Sequence, residues 1–142
     1  MSRLRIALNR HPEDSEVRPC TACDLLLRAY NANIPGSWRA GDSYRGDCHH
    51  VVHRLIWMLD QTEGVSGWTV VQADIPGEQG WHSWLEYDGW VVDLASGTYA
   101  ISDKRLYYDK KQPQRKRTLT AQEFQKKWTT ETGKWWLSNS PN

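Results

Sequence analysis

Apolar positions in this chain change period along its length, and each change marks an element. From Pro19 to Ala32 the stripe Leu25, Leu26 and Ala29 keeps a helical spacing, and Pro35 with Gly36 ends it. Val52, Leu55, Ile56 and Leu59 form a stronger helical stripe, predicting a helix from an Asp47 N-cap to about Asp60. Gly64 and Gly67 close it. A strand period then takes over, with Trp68 to Ala73 centred on Val70 and Val71. Ile75 to Gly80 is turn-rich, and 81–95 read as a hairpin.

The hairpin carries the sharpest expectation. Its turn is Asp88-Gly89, a two-residue loop that favours type I′ geometry and so sets the register. Tyr87 then faces Trp90, Leu85 faces Val92, Trp84 faces Asp93, and His82 faces Ala95. Asp93 becomes the diagonal neighbour of His82 on one face, roughly 7–8 Å away at the backbone and within side-chain reach. Glu86 shares that face but sits two rows toward the turn, too far to orient His82. A three-residue loop would put His82 and Asp93 on opposite faces.

The remaining elements are weaker. Leu4 to Leu8 reads as a short strand followed by a polar turn from Asn9 to Ser15, and 35–46 as a loop holding Trp38 and Tyr44. Tyr99 to Tyr108 reads as an edge strand. Thr120-Ala-Gln-Glu123 is a capping-box sequence that opens a last helix to about Trp128. Helices, then a meander, then a helix give an α+β class in a single domain, 1–142.

Composition narrows the function classes. A chain of 142 residues, 39% hydrophobic and 25% charged, can bury a core without disulfide staples. No apolar run approaches the ~20 residues a membrane span needs, so no membrane partner is expected. The opening Met-Ser-Arg-Leu-Arg-Ile-Ala-Leu is too short and too polar afterwards for a signal peptide, and three cysteines is an odd count. Together these place the chain in the cytoplasm with its thiols reduced. Net charge is +1, which gives no whole-chain case for nucleic acid. The basic residues from Lys104-Arg105 through Lys110-Lys111 to Arg115-Lys116-Arg117 are interrupted by Asp109 and Pro113 and read as an exposed loop. Nine tryptophans against one phenylalanine fit an aromatic core, with a ligand groove as the other reading.

An imidazole beside a carboxylate is half of a nucleophilic machine. Cys48 offers the other half. It lies on the stripe of the central helix at its first turn, where unpaired N–H groups and the macrodipole favour a thiolate. Asp47 next to it opposes that shift unless its carboxylate is used in capping.

Gly46-Asp-Cys48 opening a helix, His82-Ser-Trp84-Leu-Glu86 on a strand, and Trp90-Val-Val-Asp93 on the next resemble transglutaminase-like cysteine enzymes of the papain-like superfamily. Their recurring segment is His-Ala-Trp-x-Glu-x-x-x-Trp-x-x-Asp, and the resemblance covers about 38–97. Leader-peptide proteases of bacterial peptide maturation are similar over this stretch; arylamine N-acetyltransferases share the order Cys, His, Asp but match less well. The resemblance implies a central helix packed on an antiparallel meander and a Cys48–His82–Asp93 triad forming a thioester acyl-enzyme. It implies no cofactor. It also implies a peptide or protein substrate held by Trp38, Tyr44, Trp81 and Trp84, and an oxyanion site built from the Cys48 N–H plus a donor from Trp38 or Tyr44. Residues 98–142 lie outside it.

Two other readings compete. A non-catalytic module could use Trp38, Trp81, Trp84 and Trp90 as a groove for a peptide or glycan. A small zinc domain can be drawn from Cys20, Cys23, His49 and His53, since Cys-x-x-Cys and His at i, i+4 are metal-binding spacings. Against zinc, the gap from Cys23 to His49 is long, and His49, His50 and His53 are expected as ordinary surface histidines.

Overall fold

A computed structural model describes residues 19–32, 48–78, 80–95 and 101–133. Helix α1 is Thr21–Asn31 and α2 is Cys48–Asp60. Strands β1 (Thr69–Asp74), β2 (His82–Tyr87), β3 (Trp90–Val92) and β4 (Ile101–Asp103) follow. Helix α3 (Lys104–Lys111), strand β5 (Gln114–Thr120) and helix α4 (Ala121–Trp128) complete the order. The strands form one antiparallel sheet, β4-β3-β2-β1-β5, so the architecture is α+β. The expected strand Leu4–Leu8, the turn Asn9–Ser15, the loop 35–46 and the Asp47 cap lie outside the described residues.

Each sheet face buries a different set. On one, Val52, Leu55, Ile56 and Leu59 of α2 join Val70, Leu85 and Val92 of the sheet and Leu26 and Ala29 of α1. Each fully buried aliphatic side chain of this kind contributes about 1.5–3 kcal/mol. On the other face Val71, Ala73, Trp84 and Val91 pack against Tyr107 of α3. The alternation of β2 therefore points Ser83 and Leu85 toward α2, and His82, Trp84 and Glu86 toward the α3 side.

The hairpin register is as the turn chemistry requires: Leu85 pairs with Val92, Glu86 with Val91, Tyr87 with Trp90. Asp88 and Gly89 have φ of 49° and 76°, the left-handed pair of a type I′ turn. The capping box also forms. The Thr120 hydroxyl accepts from the Glu123 N–H at 3.0 Å, and the Glu123 carboxylate accepts from the Thr120 N–H at 3.1 Å.

Three expectations are corrected. Only Ile101–Asp103 of the expected edge strand Tyr99–Tyr108 is strand, and the chain then turns into α3. Asp103 causes the switch by accepting the Arg105 N–H at 2.8 Å as N-cap, while Lys110 and Lys111 suit the negative end of the helix. The basic run is likewise no loop: its first half, 104–111, is the whole of α3, and 114–120 pair with β1 as an edge strand. Backbone pairing carries that strand, and its exposed charges hinder a further strand from adding at the edge. Finally, Cys20 and Cys23 are joined in a disulfide, contrary to the fully reduced reading. Cys20 also caps α1, its sulfur accepting the Cys23 N–H at 3.1 Å. No described helix is long and apolar enough to cross a membrane.

Candidate active site

His82 opens β2, and Asp93 directly follows β3. Because the two-residue turn puts them on one face, their side chains meet: His82 Nε2 lies 2.6 Å from Asp93 Oδ2. Both are buried. A second donor arrives from α3, where the Tyr107 hydroxyl donates to the same Oδ2 at 2.6 Å. Asp93 Oδ1 is buried and accepts from no side chain. With Nε2 engaged, Nδ1 is the nitrogen left for other partners. Glu78, half exposed, brings a carboxylate oxygen to 3.4 Å from Nδ1.

Cys48 reaches the same place from the other side. Its thiol points at the Trp81 carbonyl, 3.7 Å away, and its sulfur accepts the Ser83 N–H at 3.4 Å. Residues 81–83 thus pass across the sulfur, with His82 lying between its two backbone partners. Burial alone pushes the Cys48 pKa up, but hydrogen bonds from His49 and His82 outweigh it, and the thiol falls from 9.0 to about 6. For His82, burial disfavours the cation. Hydrogen bonding to Asp93 and Cys48 overcomes this and raises its pKa from 6.5 to about 10. Near neutral pH the pair is therefore thiolate and imidazolium. Tyr107 stays protonated, its pKa raised by burial and by the Asp93 charge.

His49 is the residue that sequence reasoning misplaced. It was expected at the surface, yet it is buried, with Nδ1 2.6 Å from Ser83 Oγ. Gln72, fully buried on β1, donates from Nε2 to that hydroxyl at 2.9 Å and accepts from Arg117 Nε at 2.8 Å. Gln72 pairs with Ser83 on one side and Arg117 on the other, so the contacts follow one row across three strands. His50 and His53 pack instead on the Trp128 ring, at 4.8 and 4.6 Å.

The expected substrate-binding aromatics divide. Trp38 and Tyr44 lie outside the described residues. Trp81 is 5% exposed and lies beneath the Arg117 guanidinium, 4.7 Å from its ring centre. Trp84 is fully enclosed, contacts Tyr107, and donates from Nε1 to Glu86 at 2.9 Å. It is core, which corrects its assignment to a substrate surface. Trp90 is equally enclosed. The zinc reading also loses its donors. Both cysteines are spent in the disulfide, and no group of three or more His, Cys, Asp or Glu among the described residues is arranged to hold a metal.

Tyr107 and Gln72 belong to the site without having been expected. Tyr107 sits in a stretch read as strand, and Gln72 reaches Cys48 only through Ser83 and His49, so neither carries a local signal. No protein-family model matches the chain, and neither a curated protein nor a solved structure does.

Proposed function

We propose that this protein is a cysteine-dependent acyl-transfer enzyme with a papain-like, transglutaminase-like core, acting on peptide or protein substrates. One observation carries the reading: His82 binds Asp93 through Nε2 at 2.6 Å, while the backbone on either side of it, the Trp81 carbonyl and the Ser83 N–H, contacts the Cys48 sulfur. In this reading the Cys48 thiolate attacks an acyl carbon, forming a C–S bond. The His82 imidazolium gives its proton to the leaving group as that bond breaks. Water or an amine then attacks the thioester, His82 takes the incoming proton, and the thiolate is regenerated. Asp93 holds the tautomer and stabilises the imidazolium. The Cys48 N–H, in the first turn of α2, is the first donor for the oxyanion.

The binding-module reading is weaker because Trp81, Trp84 and Trp90 are all buried, which removes most of its groove. An activated acetyl ester tests the enzyme reading by mass spectrometry. The wild type should take one acetyl group on Cys48 and release it with time, and Cys48→Ala should take none there. His82→Ala should acylate about 10²–10⁴-fold more slowly. Acylation of His82→Ala at the wild-type rate would overturn the proposal.

A further inference from the structure

We propose that Cys20 and Cys23 form a reversible thiol–disulfide exchange site, at which an external thiol attacks Cys23 and Cys20 leaves as the thiolate. The two cysteines are bonded across a separation of 3 residues at the start of α1, and their sulfurs are not equivalent. Cys20 is the N-cap, 9% exposed, and its sulfur accepts the Cys23 N–H at 3.1 Å. Cys23 lies in the first turn and is only partly buried, so attack falls on its sulfur. The electron pair of the broken bond then goes to Cys20, where that N–H and the positive end of an 11-residue helix favour a thiolate. A thiol of lower pKa leaves faster, so exposure and leaving-group chemistry select the same direction. Asp24 and Asp88 bring negative charge to this end of the helix. Both are exposed to water that screens them, whereas the Cys23 N–H donates straight to the sulfur.

The seat of Cys20 makes the opening reversible. Pro19, the residue before it, offers its carbonyl to the Nε1–H of buried Trp90 at 3.2 Å. Thr21, the residue after it, donates its hydroxyl to Asp88 at 2.7 Å. Both partners belong to the β2–β3 hairpin, so Cys20 is fastened on either side to an element built without the disulfide. Cys23 is held in turn by α1, whose Ala22, Leu26 and Ala29 are fully buried. Cleavage therefore leaves the two sulfurs near each other, and closure is an intramolecular step between positioned groups. In the opening, the external thiolate bonds to Cys23 Sγ as the Cys20–Cys23 bond breaks. A second external thiolate attacks the external sulfur of that mixed disulfide, releasing Cys23 as thiolate and the reductant as its disulfide. Two external thiols lose two electrons, the protein cysteines gain them, and protons follow to the sulfurs.

The folded full-length protein in glutathione buffers of varied reduced-to-oxidised ratio tests this, with each cysteine read separately by mass spectrometry. The Cys20–Cys23 bond should open and close with the ratio while circular dichroism stays native, whereas a structural disulfide resists the glutathione pool. A bond that stays closed in every buffer and opens only in denaturant overturns the inference. A brief pulse of reduced glutathione, quenched in acid, should leave the adduct on Cys23 and Cys20 free; an adduct on Cys20 overturns the assigned roles. Cys20→Ser retains a good N-cap and Cys23→Ser retains the N–H donor. The iodoacetamide midpoint of Cys20 in Cys23→Ser should lie about one pH unit below that of Cys23 in Cys20→Ser. Equal or inverted midpoints overturn the leaving-group assignment, and should either variant not fold, the wild-type pulse decides. None of these readouts involves acyl transfer, so the outcome is independent of Cys48.

Discussion

His82 and Tyr107 place their donors on the same oxygen of Asp93, each at 2.6 Å, from opposite sides of the chain's order. One belongs to the hairpin and the other to a helix that follows it. The carboxylate is therefore the point at which α3 is fastened to the candidate site. Tyr107→Phe keeps the ring packing and deletes one charge-assisted bond, so stability should fall by about 1.5–3 kcal/mol in urea unfolding. With His82 then the single donor to Asp93, the His82 pKa should move up from about 10.

The Cys48–His82 pair sets a pH window for reactivity. Alkylation of Cys48 should rise with a midpoint near 6 instead of 9.0, and acylation should decline only as the pH approaches about 10. The effect on stability has opposite signs for the two groups. His82, raised on folding, contributes stability that is fully present below 6.5 and lost as the pH rises through about 10. Cys48, lowered on folding, contributes stability present above 9.0 and lost as the pH falls through about 6. Between 6.5 and 9.0 the two slopes cancel. Wild-type unfolding followed at intervals from pH 5 to 11 should show a plateau there, with losses outside it, whereas Cys48→Ala should lose stability steadily as the pH rises above 6.5.

Thiol counting separates the cysteines. Alkylation of native protein without reductant should modify Cys48 alone, and reduction should expose all three thiols. Closing so short a loop restricts the unfolded chain little, so reduction should cost no more than about 2 kcal/mol. Labelling of Cys20 or Cys23 before reduction would contradict the disulfide.

Gly89 is where the register is set. Its φ of 76° suits glycine, and a side chain there costs about 1–2 kcal/mol. Gly89→Ala should lower the unfolding midpoint accordingly. Because the same turn aligns His82 with Asp93, acylation should weaken along with stability.

Trp84 works from inside the core. Trp84→Ala should destabilise by about 3–5 kcal/mol, measured by denaturant unfolding, because it empties a site against Tyr107 and Val91. A surface tryptophan of a ligand groove would cost far less.

Local chemistry made part of this protein legible. The α2 stripe, the Asp88-Gly89 turn and the Thr120–Glu123 capping box each depend on residues within one or two turns of chain, and each forms as read. The His82–Asp93 contact follows from the turn alone, since loop length and pleat alternation settle which side chains share a face. Helix α3 and strand β5 were less readable. Asp103 was available as a cap signal, but β5 has few apolar residues and forms because β1 offers it a backbone edge. What only the tertiary structure decided is the meeting of parts distant in the chain: Cys48 against residues 81–83, Tyr107 against Asp93, and Arg117 through Gln72 and Ser83 to His49. Those contacts cross between layers and between non-consecutive strands, where packing of whole faces sets the distances and no sequence period records them.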